Sequence, residues 1–191
     1  MDAVRAAHPT ASVDVWAEDE HRLGLLPVTR RVWARRGQRP IAWVQRRYQW
    51  LYVHGFVCPE TGATWWALVP TVHTQAMRTV LAAFAREMEI DATHRVVLVL
   101  DGAGWSSGDA GGRKTRSIPS GTTSSRLRCQ PAERLWPLVN EPVANRTFAD
   151  LDELEAVLVE RCQTLRTEPQ AIAALTTYGW WPSGMAPSKP N

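Results

Sequence analysis

Short runs of apolar and β-branched residues, separated by turn residues, dominate the first half of the chain. Residues 12–17 alternate between apolar and polar positions, which predicts a β-strand that ends at the acidic trio 18–20. The aromatic and β-branched segment 48–57 predicts a second strand, and 64–69 predicts its hairpin partner after the turn residues 59–62. We therefore predict a β-meander. Two shorter strand candidates are residues 30–33 and 41–44.

The apolar spacing becomes helical after residue 74. Residues 74–88 place apolar side chains on one helix face, whereas 96–100 is the continuous apolar run expected of a strand covered on both faces. Residues 132–139 predict a short helix. The resulting order, β-β-β-α-β-α, predicts an α/β domain with a mixed sheet flanked by helices.

The last predicted element is a helix that begins after Asp150. Asp150 is suited to the N-cap, Glu153 completes a capping box, and apolar residues continue at helical spacing as far as Leu165. Beyond Thr167 the pattern weakens, so we expect residues 168–191 to form a flexible tail. This divides the chain into a lead of residues 1–12, a domain of residues 13–167 and that tail.

Length and composition bound the class of protein. The 191 residues suffice for one well-cored domain, and the 45% hydrophobic and 21% charged residues are ordinary for a soluble globular protein. No stretch approaches the ~20 apolar residues of a membrane span, and the N-terminus lacks the apolar core of a signal peptide, so a cytoplasmic location is predicted. Cys58, Cys129 and Cys162 are far apart, which predicts neither a disulfide framework nor a zinc site.

The net charge is only +3, but the positive charges are unevenly distributed. No Asp or Glu occurs between His21 and Pro59, and every basic residue there is an arginine, whose planar guanidinium suits phosphate oxygens. This distribution predicts a nucleic-acid-binding stripe; the alternative is a solvated hairpin face. The arginines concerned are Arg22, Arg30, Arg31, Arg35, Arg36, Arg39, Arg46 and Arg47.

Three separated acids carry the candidate chemistry. Asp19 follows the first predicted strand, Asp101 follows the buried run 96–100, and Glu133 lies in the short predicted helix. Carboxylate oxygens suit Mg2+ or Mn2+, and two such ions roughly 3.5–4 Å apart can clamp both oxygens of a phosphodiester displacement. The alternatives are a solvated turn for Asp19 and a helix first-turn acid for Glu133. We interpret His54 as an ordinary packing residue.

Five motifs in this order resemble those of a known family. The chain is similar to the catalytic domain of bacterial insertion-sequence transposases of the mariner-related superfamily, which are DDE endonucleases with a ribonuclease H-like (retroviral-integrase-like) fold. The resemblance spans about residues 13 to 165. The motifs are Asp19-Glu20, Trp33-Ala34-Arg35-Arg36-Gly37-Gln38-Arg39-Pro40, Val57-Cys58-Pro59-Glu60-Thr61-Gly62, Leu100-Asp101-Gly102-Ala103-Gly104-Trp105 and Pro131-Ala132-Glu133-Arg134-Leu135-Trp136.

The resemblance implies a catalytic site and partners. Asp19, Asp101 and Glu133 would bind two Mg2+ or Mn2+ ions and activate first water and then a DNA 3′-hydroxyl. The substrate would be double-stranded DNA, both the transposon ends and the target. A homodimer is implied, because two ends must be processed together. The family's helix-turn-helix domain normally precedes the catalytic domain, so the short lead here implies either a separately encoded helix-turn-helix partner or a truncated remnant.

The segment 106–129 departs from the family. Ser106 replaces the family's His, and the segment is too polar to predict a buried strand or the family's Pro-rich loop. Its length is nevertheless kept, which suggests two compensating frame changes in the gene. Without that strand the third acid would be poorly held, and the copy would be inactive. This leaves two alternatives to an active transposase: an inert DNA-binding remnant that uses the arginines, and a host ribonuclease H-like enzyme.

Overall fold

The computed structural model describes residues 2–38, 41, 47–100, 122–125, 130–179 and 181, with the backbone alone for residues 2, 3 and 122–125. Its centre is a five-stranded mixed sheet in the order β3-β2-β1-β4-β5. The strands are β1 (Ser12–Gly24), β2 (Trp50–Cys58), β3 (Ala63–Val69), β4 (His94–Leu100) and β5 (Thr122–Ser125). The helices are α1 (Asp2–Ala7), α2 (Thr74–Glu87), α3 (Trp136–Val139), α4 (Leu151–Arg166) and α5 (Pro169–Thr176). This is the predicted α/β class, with a ribonuclease H-like arrangement of mixed sheet and flanking helices.

The first three strands form the predicted meander, and β1 lies at the centre of the sheet. It pairs antiparallel with β2 on one side and parallel with β4 on the other. Because both edges of β1 are paired, the strand continues through the acidic trio to Gly24, and the prediction that it ends at residues 18–20 is wrong. The acids are therefore held by strand geometry rather than by a turn.

Alternation along β1 divides its side chains between two hydrophobic cores. Val15 and Ala17 face the core formed with α3, α4 and α5, whereas Trp16 faces α2, where Phe56 and Phe84 stack with ring centroids 4.5 Å apart. Both faces of the sheet are thus covered by helices, as the order of elements predicts. Among the described residues no helix is long and apolar enough to cross a membrane.

The segment 106–129 contains a strand that its sequence does not predict. The backbone of β5 pairs parallel with β4, in a register that joins Val96 to Thr122 and Val99 to Ser125. The expectation that no strand forms between the second and third acids is therefore wrong. Thr is compatible with an extended backbone, but two Thr and two Ser give no apolar signal. The rest of 106–129 lies outside the described residues.

The chain after Thr167 is ordered for a further two turns, so the prediction of a flexible tail from residue 168 is wrong for this part. In α5, Ile172 is fully buried in the core shared with α4. Gly62, at φ +73°, lies directly beneath the carbonyl of Pro169. Neither 30–33 nor Ile41 is in a strand. Residues 42–44 and 182–191 lie outside the described residues.

Candidate active site

Asp19 lies on the central strand, on the face that carries the α3–α5 core. It pairs in register with Gly55 of β2, which is buried and has no side chain to cover the acid. A Cβ built on Gly55 would be 2.9 Å from the rings of Trp66 and Trp136. The absence of a side chain at Gly55 therefore lets the Trp136 indole lie close over the strand beside Asp19.

Trp136 connects Asp19 to the segment that carries the third acid. Its Nε1–H donates a hydrogen bond of 2.7 Å to Asp19 Oδ2. The ring is also stacked on His21, with centroids 4.9 Å apart, and His21 Nε2 is 3.0 Å from Asn140 Oδ1. Burial lowers the pKa of His21, which favours its neutral form. Asp19 therefore contacts a rigid aromatic ring, and burial disfavours a positive charge on the neighbouring His21.

Glu133 lies in a 3-10 helix, Ala132–Leu135, that leads directly into α3. Ala132 and Leu135 are buried, whereas the Glu133 side chain is exposed. The preceding Gln130 is only 1% exposed, and its amide has no hydrogen-bond partner among the described residues. This segment places a solvent-accessible carboxylate on the turn before the indole that contacts Asp19.

Asp101, the second predicted acid, lies outside the described residues. The residue before it in sequence, Leu100, ends β4 and is the register partner of Glu18 on β1. β4 and β1 are parallel, so the chain runs along β1 toward Asp19 in the same direction as it runs along β4 toward Leu100. The structure thus brings the Asp19 strand and the Glu133 segment together, while the position of Asp101 stays a prediction.

A second group of polar residues lies on the opposite face of β1, and the sequence patterns did not reveal it. Glu18 and His54 are each 1% exposed, with Glu18 Oε1 2.9 Å from His54 Nδ1. Burial raises the pKa of Glu18 to about 7, against the opposing effect of the His54 hydrogen bond. One ligand atom each from Glu18, Glu20 and His54 lie within 4.8 Å of one another. His54 is buried in β2, as expected of a packing residue, but the sequence patterns did not indicate its contact with Glu18.

Exposed arginines follow β1 along the chain. They lie in the segment 30–47, whose first residue is held by Asn145. The Arg30 backbone N–H donates to Asn145 Oδ1 at 2.9 Å, and the Arg30 carbonyl accepts from Asn145 Nδ2 at 3.1 Å. Its other described end is fixed by Arg47 Nη1, which donates to the Ala149 carbonyl at 2.6 Å. Trp33 between them is fully exposed. Arg30, Arg31, Arg35, Arg36 and Arg47 are exposed, and Arg39 and Arg46 lie outside the described residues.

The donor chemistry of the two acids that are described fits a hard divalent cation. Asp19 and Glu133 offer only carboxylate oxygens, the ligands that Mg2+ and Mn2+ prefer. With Asp101 they are the residues that the sequence predicts as ligands of the ions.

Solved structures share this fold. The chain superposes on the Mos1 transposase paired-end complex with the left transposon end at a TM-score of 0.52, with 11% sequence identity over 86% of this chain and 56% of that one. The Mos1 mariner paired-end complex with Mn gives the same values, and the complex with Mg gives a TM-score of 0.51 at 13% identity. The chain therefore shares the ribonuclease H-like fold of these Mos1 transposases. The chain spans about 56% of the length of these transposase chains.

A sequence relative is the uncharacterized protein y4pE/y4sA of Sinorhizobium fredii. It is 28% identical over 137 residues, which cover 69% of this chain and 96% of the relative. No protein-family model matches the chain.

Proposed function

We propose that this chain is the catalytic domain of a bacterial insertion-sequence transposase, which cleaves DNA at transposon ends and transfers the strands to target DNA. The observation that carries the proposal is the hydrogen bond from Trp136 to Asp19, because it joins the Glu133 segment to the central strand of a ribonuclease H-like sheet. The solved Mos1 structures include a paired-end complex with the left transposon end and paired-end complexes with Mn or with Mg, which supports DNA as substrate and a divalent metal as cofactor.

Asp19, Asp101 and Glu133 are the proposed metal ligands. When bound, two Mg2+ or Mn2+ ions would supply activation of the attacking oxygen and neutralisation of the phosphate charge. The chain's own contribution is placement: β1 fixes the backbone of Asp19, and Trp136 fixes the orientation of its carboxylate. Arg30, Arg31, Arg35, Arg36, Arg39, Arg46 and Arg47 are the proposed phosphate-binding residues.

The partners follow from the same proposal. Two transposon ends require two catalytic domains, so we propose a homodimer on DNA, at the bacterial nucleoid in the cytoplasm. Recognition of the end sequence would come from a helix-turn-helix domain, which we propose as a partner of this catalytic domain. The relative in Sinorhizobium fredii supports a bacterial origin.

Nicking of supercoiled plasmid in Mn2+ tests the activity. The chain should convert the plasmid to open circles, and Asp19→Asn and Glu133→Gln should each reduce the rate at least 100-fold. Asp14→Asn is the matched control, because Asp14 lies on the same strand but is bonded to His94 on the surface. Equal nicking by Asp19→Asn would contradict the proposal. Specificity for RNA in RNA–DNA hybrids would instead support a ribonuclease H-like enzyme.

The second candidate function is DNA binding without chemistry. It is favoured by the exposed arginines on either side of the fully exposed Trp33, since guanidinium groups and an aromatic face can bind phosphate and base without any metal. This candidate predicts retention of DNA at low salt together with no nicking in Mn2+. Nicking that depends on Asp19 would exclude it.

A further inference from the structure

The side chain of Arg134 is held against Tyr178, directly after the third proposed acid. Glu133 and Arg134 are the exposed residues of their short 3-10 helix, since its other two residues are buried. Arg134 Nε–H donates a hydrogen bond of 2.7 Å to the Tyr178 hydroxyl. The guanidinium carbon also lies 4.7 Å from the centroid of the Tyr178 ring. Two contacts with one side chain therefore orient the guanidinium.

Tyr178 is itself fixed by residues on both sides of it in the chain. The Thr177 hydroxyl donates to the Pro59 carbonyl at 2.7 Å, and the Trp181 N–H donates to the Tyr178 carbonyl at 2.9 Å. Trp181 is 7% exposed in the core formed with α3, α4 and α5, and Tyr178 packs against the same core. The segment that follows α5 therefore presents Tyr178 to Arg134 in a fixed position.

The contact with Tyr178 uses the Nε–H of Arg134 and leaves its Nη groups available. No hydrogen bond or ion pair of either Nη group is found within the part of the chain that the structure describes. By contrast, Arg161 Nη2 is paired with Glu141 Oε2 at 2.7 Å. The Nη groups of a guanidinium form a planar fork that matches the oxygens of a phosphate. A fork that is oriented in advance loses less entropy on binding an anion than a mobile one.

We propose that Arg134 binds a phosphate of the DNA beside the proposed metal site and that Tyr178 positions its guanidinium. Arg134 follows Glu133 directly, and Trp136, two residues further on, donates to Asp19. The positive charge of Arg134 therefore lies on the segment that connects the two acids. This assignment rests on the proposed function, which supplies DNA as the ligand. It adds a phosphate contact outside the arginine-rich segment that follows β1.

Binding of fluorescein-labelled duplex DNA in EDTA, followed by anisotropy at several salt concentrations, tests Arg134 without any chemistry. Arg134→Gln should weaken binding about 10-fold and lower the slope of log affinity against log salt by about 0.9, the value for one phosphate contact. Arg134→Lys keeps the charge but not the fork, so it should keep the slope and still weaken binding. Arg78→Gln is the matched control, because it removes the same charge from an exposed position on α2, and it should change neither quantity.

Tyr178→Phe tests the positioning role, because it keeps the aromatic ring and the charge of Arg134 but removes the hydroxyl that accepts from Nε. It should weaken binding about 3-fold at an unchanged salt slope, which corresponds to one hydrogen bond. In the Arg134→Gln background the same substitution should have no effect on affinity. Equal weakening in both backgrounds would show that Tyr178 acts independently of Arg134 and would overturn its positioning role.

Three results would overturn the phosphate contact: no binding of duplex DNA by the unaltered chain, an unchanged salt slope in Arg134→Gln, or equal changes in Arg134→Gln and Arg78→Gln. Because Arg134 is exposed, Arg134→Gln decides the test even if Tyr178→Phe fails to fold. DNA binding that depends on Arg134 without nicking in Mn2+ would contradict the transposase proposal alone. Nicking that depends on Asp19, together with unchanged DNA binding by Arg134→Gln, would contradict the phosphate contact alone.

Discussion

At the scale of single residues, the Trp136 indole holds Asp19 by a direct hydrogen bond. We expect Trp136→Phe to lower the free energy of unfolding by about 1.5–3 kcal/mol, the range for hydrogen bonds to charged groups, and to reduce nicking at least 10-fold. Trp66→Phe is the matched control, since within the described part of the chain Trp66 Nε1 donates to Thr64 Oγ1 on its own strand. Chemical denaturation measures the free energy of unfolding, and the plasmid assay measures the nicking rate. Equal nicking by the two variants would show that Trp136 does not position Asp19.

Glu18 gives the fold a defined pH dependence. Burial raises its pKa to about 7 from an ordinary value of 4.5. At a pH between these two values, the folded chain therefore keeps a proton on Glu18 that the unfolded chain has lost. The stabilising contribution of that proton is complete below pH 4.5 and is lost as the pH rises through 7. We expect Glu18→Gln to remove this decline, as measured by urea denaturation from pH 4.5 to 8. An unchanged pH profile in the variant would contradict the assignment.

At the scale of elements, Gly62 tests how α5 is attached to the sheet. Gly62→Ala must accept a φ of +73° and also place a Cβ against the Pro169 carbonyl. A positive φ costs about 1–2 kcal/mol, and the steric conflict adds about 1–3 kcal/mol. Gly37→Ala is the matched control, because Gly37 has a φ of +86° with no atom within 4 Å of the added Cβ. Thermal unfolding should show a larger loss of stability for Gly62→Ala than for Gly37→Ala. Equal losses of stability would mean that α5 moves away from residue 62 without lowering the stability of the fold.

The elements also show what could be predicted from the sequence. The helical spacing of 74–88 predicted α2, observed at Thr74–Glu87, and the Asp150 cap predicted α4, because in both cases the signal is local. β5 and α5 were missed: the first has no apolar residue, and the second is stabilised by distant contacts such as Ile172 in the core. The contact between Glu18 and His54 depends on the register of β1 and β2, which no local pattern specifies.

At the scale of the whole molecule, the arginine segment should set the salt dependence of DNA binding. Each phosphate contact contributes about 0.9 to the slope of log affinity against log salt, so Arg35→Gln with Arg36→Gln should reduce the slope by up to about 1.8. The matched control is Arg78→Gln with Arg86→Gln, which removes the same charge from exposed positions on α2. Fluorescence anisotropy with duplex DNA measures the slopes. Equal reductions would show a response to net charge rather than a binding surface.

We propose that Asp19, Asp101 and Glu133 form one metal site. The most direct measurement is calorimetric titration of Mn2+ into the unaltered chain and into Asp101→Asn, with Asp14→Asn as the control. We predict that Asp101→Asn binds fewer Mn2+ ions than the unaltered chain, whereas Asp14→Asn binds the same number. Equal numbers of ions bound by the unaltered chain and Asp101→Asn, or no binding to the unaltered chain, would contradict the claim.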